Sequence, residues 1–385
     1  MAQRTHVRRN PIGEMPGGLG PYELWNFGPG KDYVSSLQKP SRYLAALAEL
    51  ECSPTVHKLH GPGTAAPEIW LPTLWKPTLP SGKPFEARFV PFVIDKKLAA
   101  IQDNPVELHR RLLSGISQGK VRQHLQYVDI KKSRFRVGSP VAEGAMKPKI
   151  QFAPTAPDWH PDRTLRARIG PQKRITIFAV IDNGLPFAHR NFRDVSGRRT
   201  RVEFCWLQSA VADPDQTSVL FGREYTRRDI EGLIKNYGHD EDMLYHEAGA
   251  TADTEGLASM IERHATHGAH VMDLGTGYAA ERGEQPAEEI RILAVQLPNV
   301  VTMDTSGIGK DMYLMSALHY IFHRADLIAE AYGVERARLV INFSYGYSGG
   351  PHDGEFDIEA AIDELVKARR DNRGPTALVL PAGNS

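Results

Sequence analysis

Residues 175–184 read Ile-Thr-Ile-Phe-Ala-Val-Ile-Asp-Asn-Gly, and this stretch decides the fold. Its first seven residues form an almost continuous apolar run of strand length, which is typical of a strand buried on both faces of a parallel sheet. Asp182 stands at the end of the run, and Asn183-Gly184 is a common turn pair. The stretch therefore predicts a strand over 175–181 that presents a carboxylate at its carboxyl end.

Apolar runs of strand length alternate with helical periods after this first strand. The spacing predicts further strands over 290–297, 339–343 and 376–380, and helices over 227–237, 312–328 and 356–368. Such alternation predicts the α/β class, with a doubly wound parallel sheet covered by helices on both faces. Ligands bind at the carboxyl edge of an open sheet of this kind, so the loops after the strands are the first place to look for a site.

The 385 residues are enough for two or more domains. We predict an extended lead-in over 1–40, an N-terminal α+β domain over 41–137, a Pro-rich linker over 138–172 and the α/β domain over 173–385. Within the N-terminal domain, the pattern predicts a helix over 41–51, a strand over 85–94 and a helix over 105–115. Residues 204–263 are long for a simple connection, so we interpret them as an insertion beside the cleft.

Composition narrows the class of partner and compartment. Lys plus Arg number 47 and Asp plus Glu 46, a formal net charge of +1 that gives no case for nucleic acid as a partner. No run of 18 or more apolar residues occurs, and the first residues lack the apolar core of a signal peptide, so we expect no membrane partner. Cys52 and Cys205 are the two cysteines, which fits a reducing compartment. These features together predict a cytoplasmic protein.

A histidine-rich turn, His264-Ala-Thr-His267-Gly-Ala-His270, is a candidate for proton transfer. A histidine with the usual pKa of about 6.5 can take and return a proton near neutral pH. The three histidines at a spacing of three residues are also open to interpretation as a metal cluster or as the polar face of a helix. Metal sites usually need pairs four residues apart with carboxylates nearby, so we predict neither a metal site nor a cofactor.

Two other strand ends carry groups that suit peptide chemistry. Ser344-Tyr345-Gly346 follows the strand over 339–343 and is placed to hydrogen-bond an extended peptide. Asn384 follows the strand over 376–380, and its side-chain amide suits a developing oxyanion. Plainer readings remain open for each: a Gly-rich loop for 344–346, a turn residue for Asn384, and a turn or helix cap for Asp182.

The order of these segments resembles the subtilisin-like serine peptidases. Val-Ile-Asp-Asn-Gly at 180–184, His-Gly-Ala-His-Val at 267–271, Ile-Asn-Phe-Ser-Tyr-Gly at 341–346 and Pro-Ala-Gly-Asn at 381–384 are similar to that family's segments. The order of acid, then histidine, then serine marks subtilisins among triad enzymes. The resemblance covers residues 174–385 and implies a subtilisin-like α/β domain that is incomplete at its C-terminus.

The resemblance also implies roles for individual residues. Asp182 would orient His267, and His267 would act first as general base and then as general acid. Asn384 would donate to the oxyanion, and the segment Ser344-Tyr345-Gly346 would bind the substrate backbone. The nucleophile segment of the family comes after the position of Asn384, so we expect the serine beyond this chain and the 385 residues alone to be inactive.

Two kinds of partner follow from the resemblance: a peptide or protein substrate, and the C-terminal remainder of the peptidase domain as the same or a second chain. The alternative is a catalytically inactive relative that binds peptides or acts as a scaffold.

Overall fold

The computed structural model describes residues 41–49, 69–96, 134–148, 159–172, 174–251, 261, 265–303, 309–345 and 357–381. Within these ranges the strands are β1 Tyr43–Glu49, β2 Ile69–Trp70, β3 Phe89–Asp95, β4 Arg134–Val141, β5 Thr176–Asp182, β6 Val202–Leu207, β7 Arg223–Thr226, β8 Ile290–Gln296, β9 Arg338–Phe343 and β10 Thr376–Val379. The helices are α1 Arg163–Gln172, α2 Arg227–Tyr237, α3 Glu241–Glu247, α4 His267–Thr276, α5 Asn299–Met303, α6 Asp311–Tyr332 and α7 Asp357–Asn372.

The larger sheet has six strands in the order β10-β9-β5-β8-β6-β7. Its first five strands are parallel, and β7 pairs antiparallel with β6 at one edge. The interior residues of β5 are buried because neighbouring strands and packed helices cover both of its faces. The predicted α/β class with a mostly parallel sheet is confirmed, and the strand predicted over 175–181 is present as β5.

The register of the three middle strands brings their carboxyl ends to one edge of the sheet. Asp182 at the end of β5 pairs with Gln296 at the end of β8. On the other side, Val180 pairs with Asn342 of β9. The backbone N–H of Leu297 donates to the carbonyl of Asp182 at 2.8 Å, so the end of β5 is fixed in the sheet.

The long helix α6 joins the larger sheet to a second, antiparallel sheet with the order β2-β3-β1-β4. It packs against β1 and β3 on one side and β5 and β8 on the other, and apolar residues from both sheets belong to one core cluster. Trp75 makes two of the contacts: its N–H donates to Nδ1 of His319 at 3.1 Å and its indole N–H to Asp326 at 2.7 Å. Among the described residues, no helix is both long and apolar enough to cross a bilayer.

The helix predicted over 41–51 is wrong, because residues 43–49 form strand β1. Tyr43, Leu44 and Leu47 fit a helical spacing, yet every residue from 43 to 48 is buried. The reason is that both faces of β1 are buried, so its sequence shows no alternation of apolar and polar residues. The strand predicted over 85–94 is present as β3, beginning at Phe89, while the helix predicted over 105–115 lies outside the described residues.

Two segments contribute more to the sheets than their sequence suggested. Strand β4 and helix α1 occupy parts of the region predicted as a linker. The region interpreted as an insertion supplies β7 and most of β6, whose six residues are all buried. Glu203 interrupts the apolar run of β6, and it is accommodated because Nε of Arg291 donates to it at 2.6 Å. Helix α2 has the predicted bounds.

A buried ion pair connects α6 to β7. Arg324 donates to the two carboxylate oxygens of Glu224 at 2.7 and 2.9 Å, and neither side chain is more than 2% exposed. Burial raises the pKa of Glu224, but the charge and hydrogen bonds of Arg324 outweigh burial and bring the pKa below its ordinary value. The pair therefore holds both charges inside the protein.

We expect Glu224→Gln to lower the free energy of unfolding by about 3–5 kcal/mol, because it removes the carboxylate that pairs with the buried Arg324 charge. The matched control is Glu281→Gln, whose carboxylate accepts from Arg190 at the surface, where such pairs contribute about 0–1 kcal/mol. Urea unfolding followed by circular dichroism measures both variants. Equal losses in the two variants would contradict the expected role of the buried pair.

Candidate active site

Asp182 and His267 form a hydrogen-bonded pair at the carboxyl edge of the larger sheet. Nδ1 of His267 lies 3.0 Å from Oδ1 of Asp182 and 2.9 Å from Oδ2. The carboxylate is 1% exposed, whereas the imidazole is 59% exposed. An ionised carboxylate accepts hydrogen bonds only, so Nδ1 carries the proton and Nε2 is the basic nitrogen. Within the described part of the chain, Nε2 has no hydrogen-bond partner, which leaves it available to a substrate or nucleophile.

The environment of Asp182 disfavours its charge. Burial raises the pKa of the carboxyl group, and hydrogen bonds from His267 and from the backbone N–H of Asn183 only partly offset that rise. The Asn183 N–H donates to Oδ1 at 2.7 Å. A buried acid that faces one titratable partner at a cleft is a pattern found at functional sites.

The start of α4 lies directly on the loop after β5, which explains why position 268 is a glycine. A Cβ atom at position 268 would lie 2.2 Å from the carbonyl oxygen of Asn183. Only glycine allows the helix and the loop to approach this closely. The close approach brings the His267 ring within hydrogen-bond distance of Asp182.

A short helix that sequence reasoning missed also holds the loop. Nδ2 of Asn183 donates to Oδ1 of Asn299 at 2.8 Å and to Oγ1 of Thr302 at 2.5 Å, both in α5. The five residues of α5 contain no recognisable motif, so this role was not visible in the sequence. The one available signal was position, because α5 follows β8 and therefore lies at the same sheet edge as Asp182.

The structure describes two of the residues expected to bind substrate. Ser344 and Tyr345 follow β9, the strand beside β5. Nδ2 of Asn342 donates to the hydroxyl of Ser344 at 2.8 Å, and the ammonium of Lys310 lies 4.5 Å from the centre of the Tyr345 ring. Gly346 and Asn384 lie outside the described residues, so their expected roles stay predictions.

The metal interpretation of the histidine-rich turn gains no support. Within the described ranges, no group of three or more His, Cys, Asp or Glu side chains is arranged to hold a metal ion. His270 and Asp273 both line a cavity of about 410 Å³ beside α4. Asp273 accepts a hydrogen bond from Asn191 at 2.8 Å. His264 lies outside the described residues.

We expect Asp182→Asn to keep or raise the free energy of unfolding at pH 7, because it removes a buried charge and keeps the shape of the side chain. Because the pKa of Asp182 is raised in the native state, this carboxyl group contributes most to the stability of the unsubstituted protein below the unfolded-state pKa of about 3.9. That contribution is lost as the pH rises through the native pKa. The advantage of the variant should therefore shrink as the pH falls toward about 4, which urea unfolding across that range measures.

Asp194 is the matched control with the opposite sign. Burial raises its pKa, but hydrogen bonds from Ser196 and Arg199 outweigh burial and bring the pKa below its ordinary value. Asp194→Asn should lower the free energy of unfolding at pH 7, and the loss should fade as the pH falls through the native pKa. The same sign for both variants would contradict the environments described for these carboxylates.

Comparison with known proteins adds a weak structural likeness. No family model and no curated protein matches the chain. A solved structure described as the Clostridium perfringens CspB protease aligns with a TM-score of 0.38 and 18% identity, over 55% of this chain and 36% of that chain. A likeness at this score carries no argument about family or activity, so the subtilisin-like assignment rests on the sequence motifs.

Proposed function

We propose that this chain supplies the acid and the base of a serine-type endopeptidase of the subtilisin kind, and that a segment beyond residue 385 supplies the serine. The observation that carries the proposal is the hydrogen bond between the buried Asp182 carboxylate and Nδ1 of the exposed His267. A triad needs a fixed acid and an oriented base whose Nε2 can take a proton, and among the described residues Nε2 of His267 has no hydrogen-bond partner.

Each group has a defined part in the proposed reaction. Nε2 of His267 takes the proton of the serine hydroxyl as its oxygen attacks the scissile carbonyl, and the imidazolium then gives that proton to the leaving amine. Water repeats the sequence and releases the acyl group. The Asp182 carboxylate keeps the proton on Nδ1 and stabilises the imidazolium, without itself accepting the proton.

The proposed substrate is a peptide in extended form. Ser344 and Tyr345 follow β9, so their backbone groups begin at the same edge as the Asp182–His267 pair. Asn384 would donate to the oxyanion of the tetrahedral intermediate. Both roles are extensions of the sequence resemblance to this chain.

The edge of the larger sheet supports a further segment as partner. β10 is the outermost strand of that sheet, and within the described residues it pairs only with β9. Val379 is 51% exposed and Leu380 is 45% exposed. Apolar side chains on an edge strand favour a covering element, and the proposed serine-bearing segment would provide it.

The test uses the product of the complete open reading frame. We expect a fluorophosphonate to label it on serine, and we expect Asp182→Ala and His267→Ala each to reduce peptide turnover about 10⁴-fold or more. His246→Ala is the control, since His246 is an exposed histidine on α3. The 385 residues alone should show neither labelling nor turnover.

Turnover that survives Asp182→Ala and His267→Ala would show that the roles given to these two residues are wrong. A complete product that binds peptides but is neither labelled nor active would favour the alternative, a catalytically inactive peptide-binding or scaffold protein.

A further inference from the structure

Thr266, the residue before His267, bonds to the backbone two residues after Asp182 and two residues after His267. Its side chain is buried, and its hydroxyl donates to the carbonyl oxygen of Gly184 at 2.6 Å. The same hydroxyl accepts from the backbone N–H of Ala269 at 3.0 Å, which makes Thr266 the N-cap of α4. One hydroxyl group thus connects the loop that carries the acid to the helix that carries the base.

Thr266 is also packed closely against the loop after β5. Gly184 has a φ of +63°, and a Cβ there would lie 2.8 Å from Cγ2 of Thr266. Three successive loop residues therefore meet three successive residues at the start of α4: Asp182 bonds to His267, Asn183 touches Gly268, and Gly184 bonds to Thr266. A small displacement at the third contact would be transmitted to the first.

We propose that Thr266 is a positioning residue for the peptidase reaction proposed above, and that its hydroxyl sets the alignment of His267 with Asp182. An N-cap needs only an acceptor for the first-turn N–H groups. The donation from Thr266 to Gly184 goes beyond capping, because it joins the helix to the backbone two residues after Asp182. A hydroxyl group can both donate and accept a hydrogen bond, and the Thr266 hydroxyl does both.

Thr226 provides the same chemistry away from the site. It caps α2 by accepting from the backbone N–H of Asp229, and like Thr266 it is buried. Its hydroxyl also donates to the Asp229 side chain, so it makes two hydrogen bonds, as Thr266 does. Its partners lie within α2 itself. A comparison of the two threonines therefore separates capping from alignment of the catalytic pair.

The experiment measures the low-field proton resonance of His267 Nδ1 in the 385-residue chain by ¹H NMR, assigned by its loss in His267→Ala. Thr266→Val removes the hydroxyl and keeps the shape of the side chain, and Thr266→Ser keeps the hydroxyl. We expect the resonance to disappear, or its exchange with water to accelerate at least about 10-fold, in Thr266→Val. It should persist in Thr266→Ser and in the cap control Thr226→Val.

Thermal unfolding of each variant confirms that the two valine substitutions cost comparable stability, as two helix caps should. Thr266→Ala is a second variant without a hydroxyl, in case Thr266→Val does not fold. An unchanged resonance in the folded hydroxyl-free variant, an equal loss in Thr226→Val, or no such resonance in the unsubstituted chain would overturn the proposal. The resonance requires no turnover, so an inactive complete product would count against the proposed peptidase and leave the positioning role standing.

Discussion

A strand buried on both faces allows no unpaired polar side chain along its interior, and this constraint organises the larger sheet. β5 obeys it, since its buried residues are apolar until Asp182 at its end. The neighbouring strands place polar groups at the same level: Gln296 ends β8 and accepts from the backbone N–H of Leu185 at 3.1 Å. The polar groups of this region are thereby collected at one edge, where loops rather than strands can satisfy them.

The same constraint explains how much of the fold could be predicted. The predicted strands that begin at 175, 290, 339 and 376 are mostly apolar runs, so strand formation was visible in the sequence, although only β5 and β8 are largely buried. β1 was mistaken for a helix because a strand covered on both faces shows no alternation, and Leu44 and Leu47 suit either period. β6 could not be predicted as a strand because Glu203 interrupts its run of apolar residues. The partner that makes this acceptable, Arg291, lies 88 residues later.

The candidate site also contains residues that could be predicted from the sequence and residues that could not. Asp182 and His267 were predictable because each lies in a local motif. Asn299, Thr302 and the second role of Thr266 were not, because their partners are distant in sequence: Gly184 lies 82 residues before Thr266, and Asn183 lies 116 before Asn299. Local patterns in the sequence indicate which groups are candidates for the proposed chemistry. The groups that align them depend on tertiary contacts that a single sequence does not display.

Among the residues that the structure describes, the outer edge of β10 pairs with no other strand, and this has a consequence for how the chain behaves in solution. Its residues, Thr-Ala-Leu-Val, include no charge and no proline, the two devices that usually prevent strand edges from pairing with other chains. The free N–H and C=O groups of such an edge form a template for any extended backbone, including the same edge of another copy. The feature that suits β10 to receive a covering segment therefore also makes the uncovered chain prone to self-association as its concentration rises.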